Sequence, residues 1–181
     1  AVLGILMALR ARDQGSGGQV VDVALYESMY NLLEAVVPEY DGAGEIREPS
    51  GTTVTGIVPT NTYECKDGKF LVIGGNGDSI FARLMQADDR ADIAERPNYA
   101  SNADRVVHQK FLDDVLKKWC KKKTIKNAMS ILEESRVPCG PVYNVADMMS
   151  DPHFNDRELF EKVEINGEPL NIPAILPKLS Q

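Results

Sequence analysis

Apolar residues recur every three to four positions along several stretches of this chain and alternate or run together in others, so the element order can be read from the pattern. Val2, Leu3, Ile5, Leu6 and Leu9 form one face of a helix that Arg10, Arg12 and Asp13 close and Gly15 ends. Gln19 to Leu25 alternates as a strand would, and a second helix is expected from Tyr26 to Val37, stopping at Pro38. Glu39 to Thr60 carries no periodicity and reads as a linker or mobile loop. Thr62 to Cys65 and Lys69 to Ile73 flank Lys66-Asp67-Gly68, a hairpin signal, because Asp-Gly supplies the positive φ that such turns require.

Four helical segments follow in the pattern. Ile80, Phe81, Leu84 and Met85 line the first (Asp78 to Gln86), and a short second (Arg90 to Glu95) ends at Pro97. The third starts at Asn102, read as its N-cap, and carries the stripe Val106, Val107, Phe111, Leu112, Val115, Leu116 and Trp119. Thr124 caps the fourth, whose inner face is Ile125, Ala128, Met129 and Leu132. Val137 to Val142 is extended, since its two prolines and a glycine forbid helix and leave few ladder donors. Asn144 caps a short helix to Met149, Asp151-Pro152 opens another turn, and Asn166-Gly167 joins a last hairpin, Phe160 to Ile165 with Leu170 to Ile172.

A length of 181 residues and 43% apolar content allow a substantial core. The net charge of −7 argues against a nucleic-acid partner, which calls for a clustered basic face. One basic cluster exists, Lys117, Lys118, Lys121, Lys122 and Lys123 around Trp119 and Cys120, and it reads as a solvated helix end complementing the dipole, with a landing site for a phosphorylated ligand or an acidic partner as the alternative. No apolar run reaches membrane-spanning length, so a soluble, cytoplasmic protein is expected. Because the chain starts inside a helix, a fragment of something longer is expected.

Three cysteines at wide spacing, Cys65, Cys120 and Cys139, suggest neither a metal site nor a disulfide framework. Cys139 with His108 or His153 would make a nucleophile–base pair, but a lone cysteine and two unplaced histidines give that reading little support. The more informative feature is Gly74-Gly75-Asn76-Gly77, between a strand-like run and a helix-like one. The third glycine of a dinucleotide loop would fall at Ile80, and no Gly-Lys-Ser/Thr follows, so neither a Rossmann cofactor nor a triphosphate loop fits. Two readings remain: a tight turn with Asn76 or Asp78 capping the helix, or a ligand-facing loop in which Gly75 needs an unusual φ.

The order of motifs resembles the family III CoA-transferases, also called the CaiB/BaiF family. The likeness runs from Gly4 to Arg10 through Gly15-Ser16-Gly17-Gly18-Gln19 and Val21-Asp22-Val23, with Gly18 one residue more than the family's turn. It continues through Tyr63, Asp67-Gly68, the glycine cluster, Arg83-Leu84-Met85, Asn102-x-x-Arg105, Val137 to Val142, Asp151 to Phe154 and Arg157.

The resemblance implies an α/β fold: an α+β small domain with hairpin strands and several helices, plus an αβ remnant of a Rossmann-like large domain. Residues 1–37 would be that remnant, 38–60 a linker, 61–155 the small domain and 156–181 the connection back. It implies transfer of coenzyme A from an acyl-CoA thioester to a carboxylic acid through an aspartyl-CoA intermediate, in an interlocked homodimer without a metal or permanently bound cofactor. The nucleophilic aspartate would lie upstream of Ala1, leaving no catalytic residue in this chain and the fragment inactive by itself. Gly74, Gly75, Asn76 and Gly77 would form the loop that covers the intermediate. Two alternatives stay open, a 2-methylacyl-CoA racemase of the same superfamily and a non-enzymatic interaction domain.

Overall fold

The computed structural model describes residues 1–179, which form two compact units, Ala1–Pro49 and a second from Ser50 onward. In the first unit, α1 (Val2–Ala11) is followed by a wide turn in which Gly15, at φ 94°, ends the helix as the pattern expects. The expected strand at Gln19 to Leu25 does not form. Residues 19–24 are irregular and largely exposed, because a strand exists only through ladder bonds to a neighbour and no described residue supplies one, and Leu25 starts the helix that follows.

The expected second helix divides into α2 (Leu25–Tyr30) and α3 (Val36–Ala43), and the latter runs through Pro38 instead of stopping there. Pro38 occupies the third position of α3, where the missing N–H has no intrahelical acceptor to satisfy. None of residues 1–49 is buried.

The second unit is α+β. The hairpin of β1 (Thr60–Glu64) and β2 (Phe70–Gly74) forms around Gly68, at φ 75°, and β2 also pairs antiparallel with β3 (Cys139–Pro141). The extended segment with two prolines therefore joins the sheet as one of its two edge strands, a position that tolerates missing donors. Along β2, Leu71 and Ile73 are buried while Phe70 and Val72 are exposed, the period of two that a one-faced sheet imposes.

Helices α4 (Asp78–Ala87), α5 (Ala91–Ala94), α6 (Asn102–Val107), α7 (Gln109–Cys120) and α8 (Ile125–Glu134) follow, and the core lies between the sheet and α4, α7 and α8. The single third helix of the pattern is two, α6 and α7, meeting at His108. The break changes which residues face inward: Leu112, Leu116 and Trp119 are buried, whereas Val107 and Phe111 are exposed.

Asp67, in the hairpin turn, accepts the Ile125 N–H at 3.2 Å and so caps α8 from outside its own sequence, together with Thr124. At the other end of α8, Arg83 donates to the carbonyls of Ser135 and Arg136. Beyond β3, Asn144 caps α9 (Val145–Ser150) and Asp151 caps α10 (Pro152–Asp156). The last hairpin, β4 (Phe160–Ile165) and β5 (Glu168–Pro173), turns on Asn166 and Gly167, both at positive φ as an Asn-Gly turn requires.

Candidate functional site

The glycine cluster forms the corner between β2 and α4. The cap of α4 is Gly77 in extended conformation at φ −66°, with no side-chain bond, so neither Asn76 nor Asp78 caps the helix. None of Gly74, Gly75 and Gly77 has a φ in the left-handed region. Gly75 is required for a different reason than conformational freedom. A Cβ there would lie 2.5 Å from Leu84 Cδ2 and 3.1 Å from Pro59 Cγ, so the buried backbone is pressed against its neighbours without room for a side chain.

Three bonds hold the corner from beneath. The Gly74 N–H donates to the Pro138 carbonyl at 2.9 Å and the Gly75 N–H to the Pro59 carbonyl at 2.8 Å. The third bond runs the other way: the Asn76 carbonyl accepts from Arg105 Nη2 at 2.5 Å. Above these anchors, the N–H groups of Asn76, Gly77, Asp78, Ser79 and Ile80 donate to no atom of the described residues. Asn76, Asp78 and Ser79 are exposed. The corner thus presents free amide donors at the positive end of a three-turn helix, an arrangement suited to developing negative charge on oxygen.

Arg105 is the residue that pattern reading misses. It is the one buried charged side chain among the described residues, fully enclosed, with its guanidinium 4.7 Å over the Phe81 ring. The sequence carries a signal for it: Arg105 stands seven residues before Leu112, a cation in register with the apolar stripe. Asn102, in the same motif, is the first residue of α6 rather than its cap. Ser101 is the cap, in a box with Asp104, and the Asn102 side chain instead binds the Val58 N–H and the Gly56 carbonyl ahead of β1.

The remaining candidates separate from this corner. No hydrogen bond links Cys139 to His108 or His153 among the described residues, and burial raises the Cys139 pKa, the opposite of what an activated thiolate needs. Cys65 and Cys120 are buried, and desolvation pushes the Cys120 thiol up to about 12. Lys121 pairs with Glu64 at 2.5 Å and Lys123 lies 5.0 Å over the Trp119 ring, so part of the lysine cluster packs on the fold. A cleft of about 460 Å³ opens elsewhere in the second unit, lined in part by Met129 and Tyr143, with Lys69 and Asp147 paired across its edge at 3.1 Å. No group of metal-ligating side chains occurs among the described residues, and no helix there is long and apolar enough to cross a membrane.

Comparison with known proteins gives a consistent picture. The model of CoA-transferase family III matches residues 1–181. A succinyl-CoA–D-citramalate CoA-transferase from Chloroflexus aurantiacus is 40% identical over 99% of this chain and 45% of its own length. A succinyl-CoA:mesaconate CoA-transferase from Haloarcula hispanica is 31% identical over 97% of this chain and 46% of its own. Among solved structures, a CaiB/BaiF family protein from Brucella suis superimposes with a TM-score of 0.77 at 27% identity, covering 99% of this chain and 46% of that one. The chain thus spans about 45% of the length of the curated relatives it matches.

Proposed function

Because the chain belongs to CoA-transferase family III, we propose that it is part of an enzyme that moves coenzyme A from an acyl-CoA thioester to a carboxylic acid. The observation that carries this reading is the family match along the whole chain, with 40% identity to a relative named for that reaction. The names of the relatives support a narrower form: succinyl-CoA as donor and a small dicarboxylic acid such as citramalate, malate or mesaconate as acceptor.

The chemistry proceeds by covalent catalysis. An aspartate carboxylate, supplied by the rest of the longer protein, attacks the thioester carbonyl and expels CoA thiolate, leaving a mixed anhydride. The thiolate then attacks the aspartyl carbonyl, giving an aspartyl-CoA thioester and releasing the donor acid. The acceptor carboxylate repeats the two steps in reverse, so each bond broken is matched by one formed and the aspartate is regenerated. The glycine corner Gly74, Gly75, Asn76 and Gly77 lies over these acyl groups, where its free amides stabilise the charged oxygen and its backbone excludes water from a hydrolysable anhydride. The enzyme works as a homodimer in the cytoplasm, with the CoA thioester as substrate and no permanently bound cofactor, and residues 1–181 alone are inactive.

The test is to incubate the longer protein with succinyl-CoA and each acid and to follow new acyl-CoA by mass spectrometry, with hydroxylamine added to trap an aspartyl hydroxamate. Acid-dependent exchange and a trapped aspartate are expected. Absence of exchange with every dicarboxylate tried, in a folded preparation, overturns the reading.

A further inference from the structure

We infer that Arg105 is a positioning residue for the glycine corner, fixing the peptide plane between Asn76 and Gly77 so that the Gly77 N–H points away from the core. The inference rests on the transferase reading for its catalytic consequence and on geometry alone for its structural one.

All five N–H donors of the guanidinium are used. Nε binds the Val58 carbonyl at 3.0 Å; Nη1 binds those of Tyr99 and Ala100 at 3.0 and 3.4 Å; Nη2 binds the Asn76 carbonyl at 2.5 Å and Asp78 Oδ1 at 2.8 Å. Four of the five acceptors are backbone carbonyls drawn from three separate segments: the approach to β1, the turn before α6, and the corner itself. Burying a cation for the sake of carbonyls is an expensive way to stabilise a fold, since apolar replacements often do as well. What it provides that an apolar side chain cannot is orientation. A trans peptide carries its C=O and N–H on opposite sides, so drawing the Asn76 oxygen inward turns the Gly77 N–H outward. Only one carboxylate answers the charge, and Asp78 is itself 67% exposed, so the positive charge sits directly beneath the free amides. A lysine could not reproduce this, having three donors on a flexible stem instead of a planar fork.

The test compares Arg105→Lys with the wild type in the longer protein. Two readouts are taken: steady-state kinetics with succinyl-CoA and the acceptor acid, and amide hydrogen exchange of the peptides covering residues 73–80, with those of α7 and α8 as reference. A kcat lower by roughly 10- to 100-fold with little change in KM is expected, the loss typical of a displacement of about 1 Å at a reacting centre. Acyl-CoA hydrolysis should rise relative to transfer, and exchange should quicken in residues 73–80 while α7 and α8 stay protected. Unchanged kcat and unchanged exchange overturn the inference, as does exchange that rises equally everywhere, which marks a general stabilising role. If the wild type transfers no CoA, the transferase reading fails while the exchange measurement still decides whether Arg105 holds the corner. Should Arg105→Lys not fold, Arg105→Met, which fills the same buried space and removes every donor to the Asn76 carbonyl, carries both readouts, and no change in either overturns the inference.

Discussion

Residues 1–49 and the unit that follows them use the same kind of apolar patterning and reach opposite results. Helix α1 carries Val2, Leu3, Ile5, Leu6 and Met7, all exposed, and nothing in the first unit is buried. Helix α7, with a more polar composition, buries Leu112, Leu116, Trp119 and Cys120 completely or nearly so. The difference teaches that periodicity specifies a helix and its apolar face, but burial needs a second surface. The sheet provides one for α7; residues 1–49 provide none for α1. A concentration of exposed apolar side chains of this size marks an interface, and in the transferase reading the rest of the longer protein covers it.

The contrast can be broken most directly with large-to-small substitutions. Trp119→Ala is expected to destabilise this chain by about 3 to 5 kcal/mol, because the ring is 6% exposed and its cavity cannot be refilled. Leu6→Ala, at 57% exposure, should cost under about 0.5 kcal/mol here and about 2 kcal/mol in the longer protein. Chemical denaturation of both forms checks this; equal costs for Leu6→Ala in the two would leave the first unit without a covering partner.

Glycines offer a second comparison. Gly75→Ala drives a Cβ into Leu84 and Pro59 and is expected to cost about 1 to 3 kcal/mol, while Gly18→Ala, which meets nothing within 4 Å, should be nearly neutral. Melting temperatures of the two variants decide it. A third test uses caps: Ser101→Ala removes the box that starts α6 and should cost about 1 kcal/mol, whereas α1 has no side-chain cap to lose.

The smallest effect depends on pH. Asp88, at the carboxyl end of α4, is partly buried with Oδ2 unbonded, and desolvation lifts its pKa to about 6 against the partial offset of Arg90 and the nearby lysines. A carboxyl whose folded pKa is raised favours the folded state below about pH 4 and loses that advantage as pH rises through about 6. Asp88→Asn should therefore be more stable than wild type by up to about 1 kcal/mol at pH 7.5 and indistinguishable from it at pH 4. Denaturation midpoints at the two pH values measure this; a gain that persists at pH 4 would assign it to packing instead of charge.

Much of the second unit was legible because its signals are local. Asp67-Gly68 and Asn166-Gly167 turn where their positive φ requires, and Thr124, Asn144 and Asp151 cap the helices that follow them. Misreadings arose where a neighbour decides the outcome: the alternating run at Gln19 to Leu25 lacks a ladder partner. The segment around Cys139–Pro141 is extended as expected, and it becomes a strand because β2 lies beside it. Pro38 breaks a helix in its interior but is accommodated in a first turn, a matter of where α3 begins.

The candidate site divides along the same line. The sequence alone located Gly74 to Gly77 at a strand-to-helix corner and excluded nucleotide fingerprints, since residue identity and spacing suffice for that. Only the tertiary structure revealed that Gly75 is needed for close packing against Leu84, and that Arg105, 29 positions along the chain from Asn76, holds the corner from inside. Turns and caps follow from short-range sterics and hydrogen bonds, which neighbouring residues determine. Close approach and buried charge depend on what distant segments place at the same point, and one-dimensional order does not contain that.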